Sequence, residues 1–490
     1  MTTTQKKQNG SIVAIIMMML LFGMISFVTN LAAPMGVVLK YQFGVSNSLG
    51  MLGNFMNFLA YAVMGIPSGK LLEKIGYKKT ALLAILVGFV GVFIQFLSGV
   101  AESFYIYLSG AFIAGFSMCM LNAVVNPMLN TLGGGGKKGN MLIQIGGSFN
   151  SLMGTSVPLL VGVLVGNISK ASIPDVNPVL FIAMGIFALV GIVLYLVTIP
   201  EPISTINRVA KGEKSSHSPW SFRHFVLGAI AIFVYVGVEV GVPGTANLYM
   251  TSFTEKDAGE KVAEYDKQKN DATYLAQLQE EDKLNENTVG YEPKVIKEST
   301  YESAKKIIDG KTKAGLSIKT GVAGGVVGFY WLLMLIGRLI GASLGAKISS
   351  KIMLVAVSML GIILVLAAIL SPSTTHISMP AFDTSAGTLS VGLVKVPITF
   401  LSLALVGLCT SVMWGSIFNL AVEGLGKYVA SASGIFMMLV VGGGVIPFIQ
   451  GWLADIIGFM SSYWLIIICI GYLLYYAVIG SKNVNKDIPV

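Results

Sequence analysis

The chain has 490 residues, of which 54% are hydrophobic and only 12% charged, with a formal net charge of +9. A soluble domain carries about 25% charged residues, so this composition excludes an ordinary globular protein and points to one solvated by lipid. The positive balance does not signal nucleic acid, because the surplus lies in short loops between apolar runs, where membrane topology accounts for it.

Apolar runs of roughly 20 residues, the length a bilayer crossing needs, fall near 11–39, 48–69, 80–100, 104–131, 141–166 and 178–199. After a polar stretch they resume near 223–251, 321–347, 351–371, 396–422, 430–456 and 462–481. None shows strand-like alternation, and lipid forces the backbone to satisfy its own hydrogen bonds, so the runs are expected to be helices. The expected fold is an all-α integral membrane protein with twelve transmembrane helices in two six-helix bundles. Its units are 1–199, a cytoplasmic linker at 200–222, and 223–490, the last containing a polar extracytoplasmic insertion at 252–320. Two bundles of six around a central path are a common plan for secondary transporters.

The first run is too long for a signal peptide and should remain as the first helix. The loop after the second run reads "GKLLEKIGYKKT", the loop after the fourth "GGGGKKGN", and the linker "NRVAKGEKSSHSPWSFRH". With Lys6, Lys7, Lys482 and Lys486 they put the positive charge on one side, so both termini are expected in the cytoplasm of a cell with this protein in its inner membrane. "GGGGKKGN" has no Ser or Thr after its lysines and follows no soluble strand, so it is no phosphate loop. Nothing indicates an enzyme or a bound cofactor. Cys119, Cys409 and Cys469 lie inside apolar runs without ligand spacing, so neither a disulfide nor a metal site is expected. The insertion holds 14 acidic and 11 basic residues between 255 and 318. Long translocated loops escape the charge rule, and "YLAQLQEEDKL" and "YESAKKIIDG" have helical spacing. A small external cap of short helices is expected, either inert or a docking surface for an extracytoplasmic partner.

Gly69 to Lys79 has the form G-x-x-x-[DE]-[KR]-x-G-x-[KR]-[KR], and this resembles the motif between the second and third helices of the major facilitator superfamily. The resemblance implies a cytoplasmic clasp in which Gly69, Glu73, Lys78 and Lys79 gate the rocking of two halves. Arg338, in the equivalent stretch "GRLIGASLGAKISSK", is the matching gating residue and is expected toward the cytoplasmic end. Further stretches narrow the likeness. "YVGVEVGVPGTANLYM", "FYWLLMLIGRLIGA", "NAVVNPMLNTLG", "SFNSLMGTSVPLLVG" and "FNLAVEGLGKYVASASGIFMMLVVGGGVIPFIQGWLAD" resemble the fucose–proton symporter family, which includes glucose/galactose permeases. The likeness covers nearly the whole chain except 255–318. It implies a monomeric carrier of a monosaccharide or similar small neutral solute. Three departures stand out: Ala33 replaces the family's first-helix aspartate, Asn122 its fourth-helix glutamate, and Gly147 its fifth-helix glutamine. Coupling through the family's usual acids is therefore doubtful, which leaves sodium, uniport, or a proton on Glu239.

Glu239 sits deep in the seventh run, where a carboxylate costs several kcal/mol. It can anchor an irregular turn set by Gly237, Gly241, Pro243 and Gly244, contact substrate, or hold the coupling ion. Asn122 and Asn126 share one helix face. With Asn30, Asn54, Gln144, Asn150, Asn247, Trp331, Trp414 and Asn419 they make a candidate substrate path, since amides both donate and accept toward hydroxyls. Two rival readings remain open: a facilitator-type carrier of a drug, peptide or nucleoside, and a non-transporting receptor or assembly protein working through its insertion.

Overall fold

The computed structural model describes residues 3–43, 52–165, 173–199, 201, 217–285, 294–296, 298–383, 390–484 and 488. Most of the expected linker, 202–216, lies outside these residues, as do 286–293 of the insertion. The first half contains α1 (Thr3–Phe43), α2 (Leu52–Ile75), α3 (Tyr77–Val100), α4 (Phe104–Leu132), α5 (Gly136–Val165) and α6 (Asn177–Leu196). The second begins with α7 (Arg223–Thr251), followed by three short helices, α8 (Glu255–Asn270), α9 (Ala272–Leu284) and α10 (Glu298–Ile308). It continues with α11 (Thr320–Gly345), α12 (Ser350–Leu370), α13 (Ile398–Thr410), α14 (Met413–Val422), α15 (Val429–Met438), α16 (Gly442–Ile457) and α17 (Phe459–Tyr475). Ten stretches among the described residues are long and apolar enough to cross a membrane, and one of them, Phe55–Val100, takes in both α2 and α3. Where described, each apolar run read from the sequence falls mostly on helix.

The turns after α2, α4, α11 and α14 lie on one face, which carries Lys74, Lys78, Lys79, Lys137, Lys138, Lys347, Lys351 and Lys427. We call it the basic face, and the opposite one the cap face. On the cap face, residues 315–318 return to the end of α7: Gly315 N–H donates to Phe253 O (2.7 Å), Leu316 to Tyr249 O (3.1 Å) and Ile318 to Met250 O (2.6 Å). Thr254 and Asp271 cap α8 and α9 through their side-chain oxygens, and the Tyr265 and Tyr301 rings stack at 4.4 Å to join α8 to α10. The insertion is thus a small helical cap tied by backbone bonds to α7 and α11.

The all-helical expectation fails between α12 and α13. Here β1 (His376–Asp383) and β2 (Ser390–Pro397) form an antiparallel hairpin, with His376 opposite Pro397 and Met379 opposite Val394. Alternation explains it: Met379, Ala381 and Val396 are buried toward α11, while Val391 and Leu393 face outward. Gly325 and Gly328 of α11 provide the space for Phe382, whose backbone oxygen touches the place a Cβ on Gly325 would take.

Two further expectations change. The glycines and proline of α7 do not break it, for the helix runs continuously with Pro243 inside. Proline removes the N–H that would bond the carbonyl four residues earlier. That carbonyl belongs to Glu239, and the Tyr330 hydroxyl donates to it instead at 3.2 Å. The clasp after α2 also differs. Lys78 does not reach the other half; its Nζ donates to Tyr195 O (2.9 Å) and Val197 O (2.7 Å) at the end of α6. Glu201 accepts from the Tyr77 and Lys78 backbone N–H groups at 2.8 and 2.9 Å. A carboxylate there suits the positive end of α3, and Gly76, at φ 82°, makes the tight turn that leads into it. Lys79 is exposed. Gly69 meets the second half directly, with Ala430 O and Gly434 Cα at 3.2 and 3.1 Å from the position of an added Cβ.

Glu201→Ala should therefore remove a charged helix cap and cost about 1 kcal/mol. A thermal unfolding midpoint a few degrees lower in detergent is the expected result; an unchanged midpoint would show that the carboxylate contributes nothing to holding α3.

Candidate functional site

The two halves meet through close-packed backbones and a short series of polar bonds. Gly434 approaches α2 so closely that a Cβ would lie 2.6 Å from Gly65 O and Gly69 Cα. On the other side α11 carries Gly337, Gly341 and Gly345 at four-residue spacing; the first two pack against Leu408, Ser411 and Val412 of the same half, and Gly345 faces α5. Small residues at this spacing let membrane helices approach closely. A Cβ at Gly345 would sit 3.3 Å from the Asn140 amide.

Into these approaches run hydrogen bonds that involve 123–147 of the first half. Ser433 Oγ donates to Ala123 O (2.9 Å), Trp414 Nε1 to Asn126 Oδ1 (2.9 Å), and Asn130 Nδ2 to Asn419 Oδ1 (2.9 Å). Lys137 Nζ donates to Lys347 O (2.7 Å), and Gln144 Nε2 to Val412 O (2.9 Å). These residues sit in the part of α4, α5, α11 and α14 nearest the basic face. The molecule is closed there by a polar seal.

Above the seal lies the one buried ion pair among the described residues. Glu239, near the middle of α7, accepts from Arg338 Nη2 of α11 at 3.1 Å, with side chains 15% and 9% exposed. Arg338 Nη1 donates to Gly147 O of α5, in the other half, at 2.6 Å. Arg338 stands seven residues before the end of α11, toward the basic face as expected, but its side chain is buried between the halves. The long side chain reaches inward, and the absence of a side chain on Gly147 leaves room for it: a Cβ there would lie 3.3 Å from Arg338 Cδ. Tyr235, one turn earlier on α7, is fully buried; its hydroxyl lies beside the Glu239 carboxylate and its ring meets Trp414 edge-on at 6.2 Å.

The amides divide into two groups. Asn126, Gln144 and Asn419 are buried within the seal. Asn419 also donates to Ser350 Oγ at 2.8 Å, so it belongs to the closure and not to a path open in this conformation. Asn122 links the seal to α2, donating to Tyr61 Oη at 2.8 Å, while its oxygen and backbone carbonyl face Asn126 Nδ2. The half-buried group lies nearer the cap face. Asn30 donates to Ser26 O and Oγ at 2.9 and 3.0 Å, and Ser26 in turn bonds Asn150 O, which joins α1 to α5. Asn247 and Trp331 are half-buried on α7 and α11, with Trp331 packed edge-on against Tyr330 at 5.3 Å. The side chains of Asn54 and Ala33 lie outside the described residues.

Tyr61, Tyr235, Tyr330, Glu201 and the Gly147 carbonyl were not identified from the sequence. The tyrosines carry no local signature, because an aromatic in an apolar run reads as packing. The Gly147 carbonyl has no sequence signal at all apart from the glycine itself.

Two helical halves joined at one face by breakable polar contacts, with a buried charged centre behind them, define a polytopic membrane carrier. Residues 15–262 match the model of the Major Facilitator Superfamily, and the chain belongs to that superfamily. It is 26% identical over 490 residues to the glucose/galactose transporter of Brucella abortus biovar 1 (strain 9-941), covering 98% of this chain and 97% of that one. It is 25% identical over 480 residues to a putative glucose/galactose transporter of Helicobacter pylori (strain J99 / ATCC 700824), covering 94% and 95%. In fold it is similar to the transporter FucP in its outward conformation, with TM-score 0.68, 16% identity and coverage of 97% and 100%. The proton:xylose symporter XylE bound to 6-bromo-6-deoxy-D-glucose aligns with TM-score 0.63, 12% identity and coverage of 99% of both chains.

Removing one member of a buried pair strands the other and costs about 3–5 kcal/mol. Arg338→Met should therefore lower the unfolding midpoint sharply, and Arg338→Met combined with Glu239→Gln should recover most of the loss. A double variant no more stable than the single one would show that the two side chains do not act as a pair.

Proposed function

We propose that this protein carries a hexose of the glucose or galactose type across the inner membrane by alternating access. The observation that supports it most is the arrangement itself: a polar centre at mid-depth, closed toward one face by hydrogen bonds between halves. Those bonds are individually weak, so a concerted set can break when the halves rock. Near-full-length similarity to glucose/galactose transporters supports the substrate class. The amides and tyrosines around the centre offer both donors and acceptors, as sugar hydroxyls require, and Trp331 and Trp414 offer apolar faces for a ring.

In this reading 1–199 and 223–490 move as two bodies about the 200–222 linker, in a monomer. The basic face is cytoplasmic by the positive-inside rule, both termini are on that side, and the conformation described is closed to the cytoplasm. Asn30, Asn150, Asn247, Trp331 and Glu239 are the contacts available to a sugar arriving from the cap face, and Asn122 and Asn126 lie at its floor. Arg338 neutralises Glu239 internally, so the centre bears no net charge and suits a neutral solute. A sodium ion or a proton at Glu239 would have to displace the guanidinium. We propose on this ground that sugar binding does not require sodium.

Thermal unfolding of the purified protein tests this directly. D-glucose or D-galactose at a hundredfold over its Kd should stabilise the fold by about 2.7 kcal/mol, to the same extent in sodium and in potassium. A shift seen only in sodium would overturn the coupling proposal. No shift with hexoses, together with a shift by a peptide or nucleoside, would overturn the substrate proposal.

A further inference from the structure

We infer that Arg338 is the positioning residue through which the state of the Glu239 site is transmitted to the cytoplasmic seal. The inference rests on the alternating-access reading above and adds a specific connection within it. Of the described bonds between the halves, Lys137 to Lys347 O also has a charged donor but is exposed, whereas Arg338 to Gly147 O has a buried one. A hydrogen bond from a charged group shielded from water is stronger than its neutral counterparts, so this bond holds the seal more tightly than the amide contacts beside it.

The same guanidinium holds Glu239 with its other terminal nitrogen. One rigid fork therefore joins α7 and α11 of the second half to α5 of the first. A planar fork cannot follow both partners if they move apart. A shift of the Glu239 carboxylate, toward substrate hydroxyls or toward Tyr235, changes the angle at which Arg338 reaches Gly147 and weakens that bond. Gly147 is the permissive element. The 3.3 Å between a Cβ at 147 and Arg338 Cδ is tighter than ordinary packing, so a larger side chain pushes the arm off the carbonyl without touching Glu239.

Distance measurement between spin labels on the cytoplasmic face tests the connection without any sugar, so a failure of hexose binding leaves the result interpretable. Lys138→Cys and Ala346→Cys are suitable label sites: both are exposed, at the start of α5 and just past α11, and the native cysteines Cys119, Cys409 and Cys469 are buried. The parent should give one short distance. Glu239→Gln should add a longer one in smaller proportion, because losing the carboxylate weakens the Arg338 bond to Gly147 O without removing it. A Glu239→Gln variant indistinguishable from the parent would overturn the transmission. Gly147→Val, and separately the Arg338→Met/Glu239→Gln double variant, should each add a longer distance. The inward-to-outward ratio should rise about tenfold in each, the effect of losing one charge-assisted bond. Gly147→Ala is the milder arm should the valine fail to fold, with a smaller rise in the same direction. Short distances unchanged in both the Gly147 variants and the double variant would overturn the inference. So would a seal opened as fully by Glu239→Gln alone as by the double variant, for the carboxylate would then hold the seal without Arg338.

Discussion

A guanidinium buried between two halves of a membrane protein constrains everything around it. Taking an arginine and a glutamate out of water is costly, and the cost is offset only when geometry is good and the remaining donors are satisfied. Here one donor is met by Glu239 of the same half and another by a backbone carbonyl of the opposite half. The closed arrangement of α5 against α11 is what completes the arginine's shell. Moving the halves apart leaves an N–H without its partner, so the charge and the conformation are linked.

The packing that permits this is built from absences of side chain. Gly147 lets the arginine in, Gly337, Gly341 and Gly345 let α5 and α13 close on α11, and Gly65, Gly69 and Gly434 do the same where α2 meets α15. Across these surfaces run the polar bonds of the seal together with apolar contacts such as Met438 against Gly65 and Phe58 against Gly443. The cap, tied by its backbone to the end of α7 and the start of α11, rides with the second half.

How much could be read beforehand follows from what each feature depends on. The helices were legible because lipid leaves the backbone few alternatives, and even their ends fall within a few residues of the apolar runs. Two of the cap helices, α9 and α10, were legible from spacing, and the length of the loop exempts it from the charge rule; α8 was not identified. The hairpin at 376–397 was missed because its alternation is short and interrupted by Pro380. In the site, Glu239 announced itself by its cost in an apolar run, but its partner did not. Arg338 lies seven residues from the end of α11, where lysines and arginines usually reach outward to water, and only the three-dimensional approach of a glycine on another helix turns it inward. Asn419 looked like a path residue for a similar reason: an amide in an apolar run has the same signature whether it faces a solute or a seal. Lys78 matched a clasp motif, yet its amine donates to the carbonyls at the end of α6. Spacing along one helix is visible in a sequence; which helices face each other at that depth is not.

The claim on which the account rests is that this molecule moves a hexose by exchanging access between two faces. Entrance counterflow in proteoliposomes measures that most directly, since it needs no ion gradient and does not depend on the coupling mode. With unlabelled D-galactose inside, the account predicts a transient, saturable accumulation of labelled D-galactose, abolished by excess external D-glucose and absent in liposomes without protein. Accumulation no different from protein-free liposomes, in a preparation whose fold is intact, would contradict it.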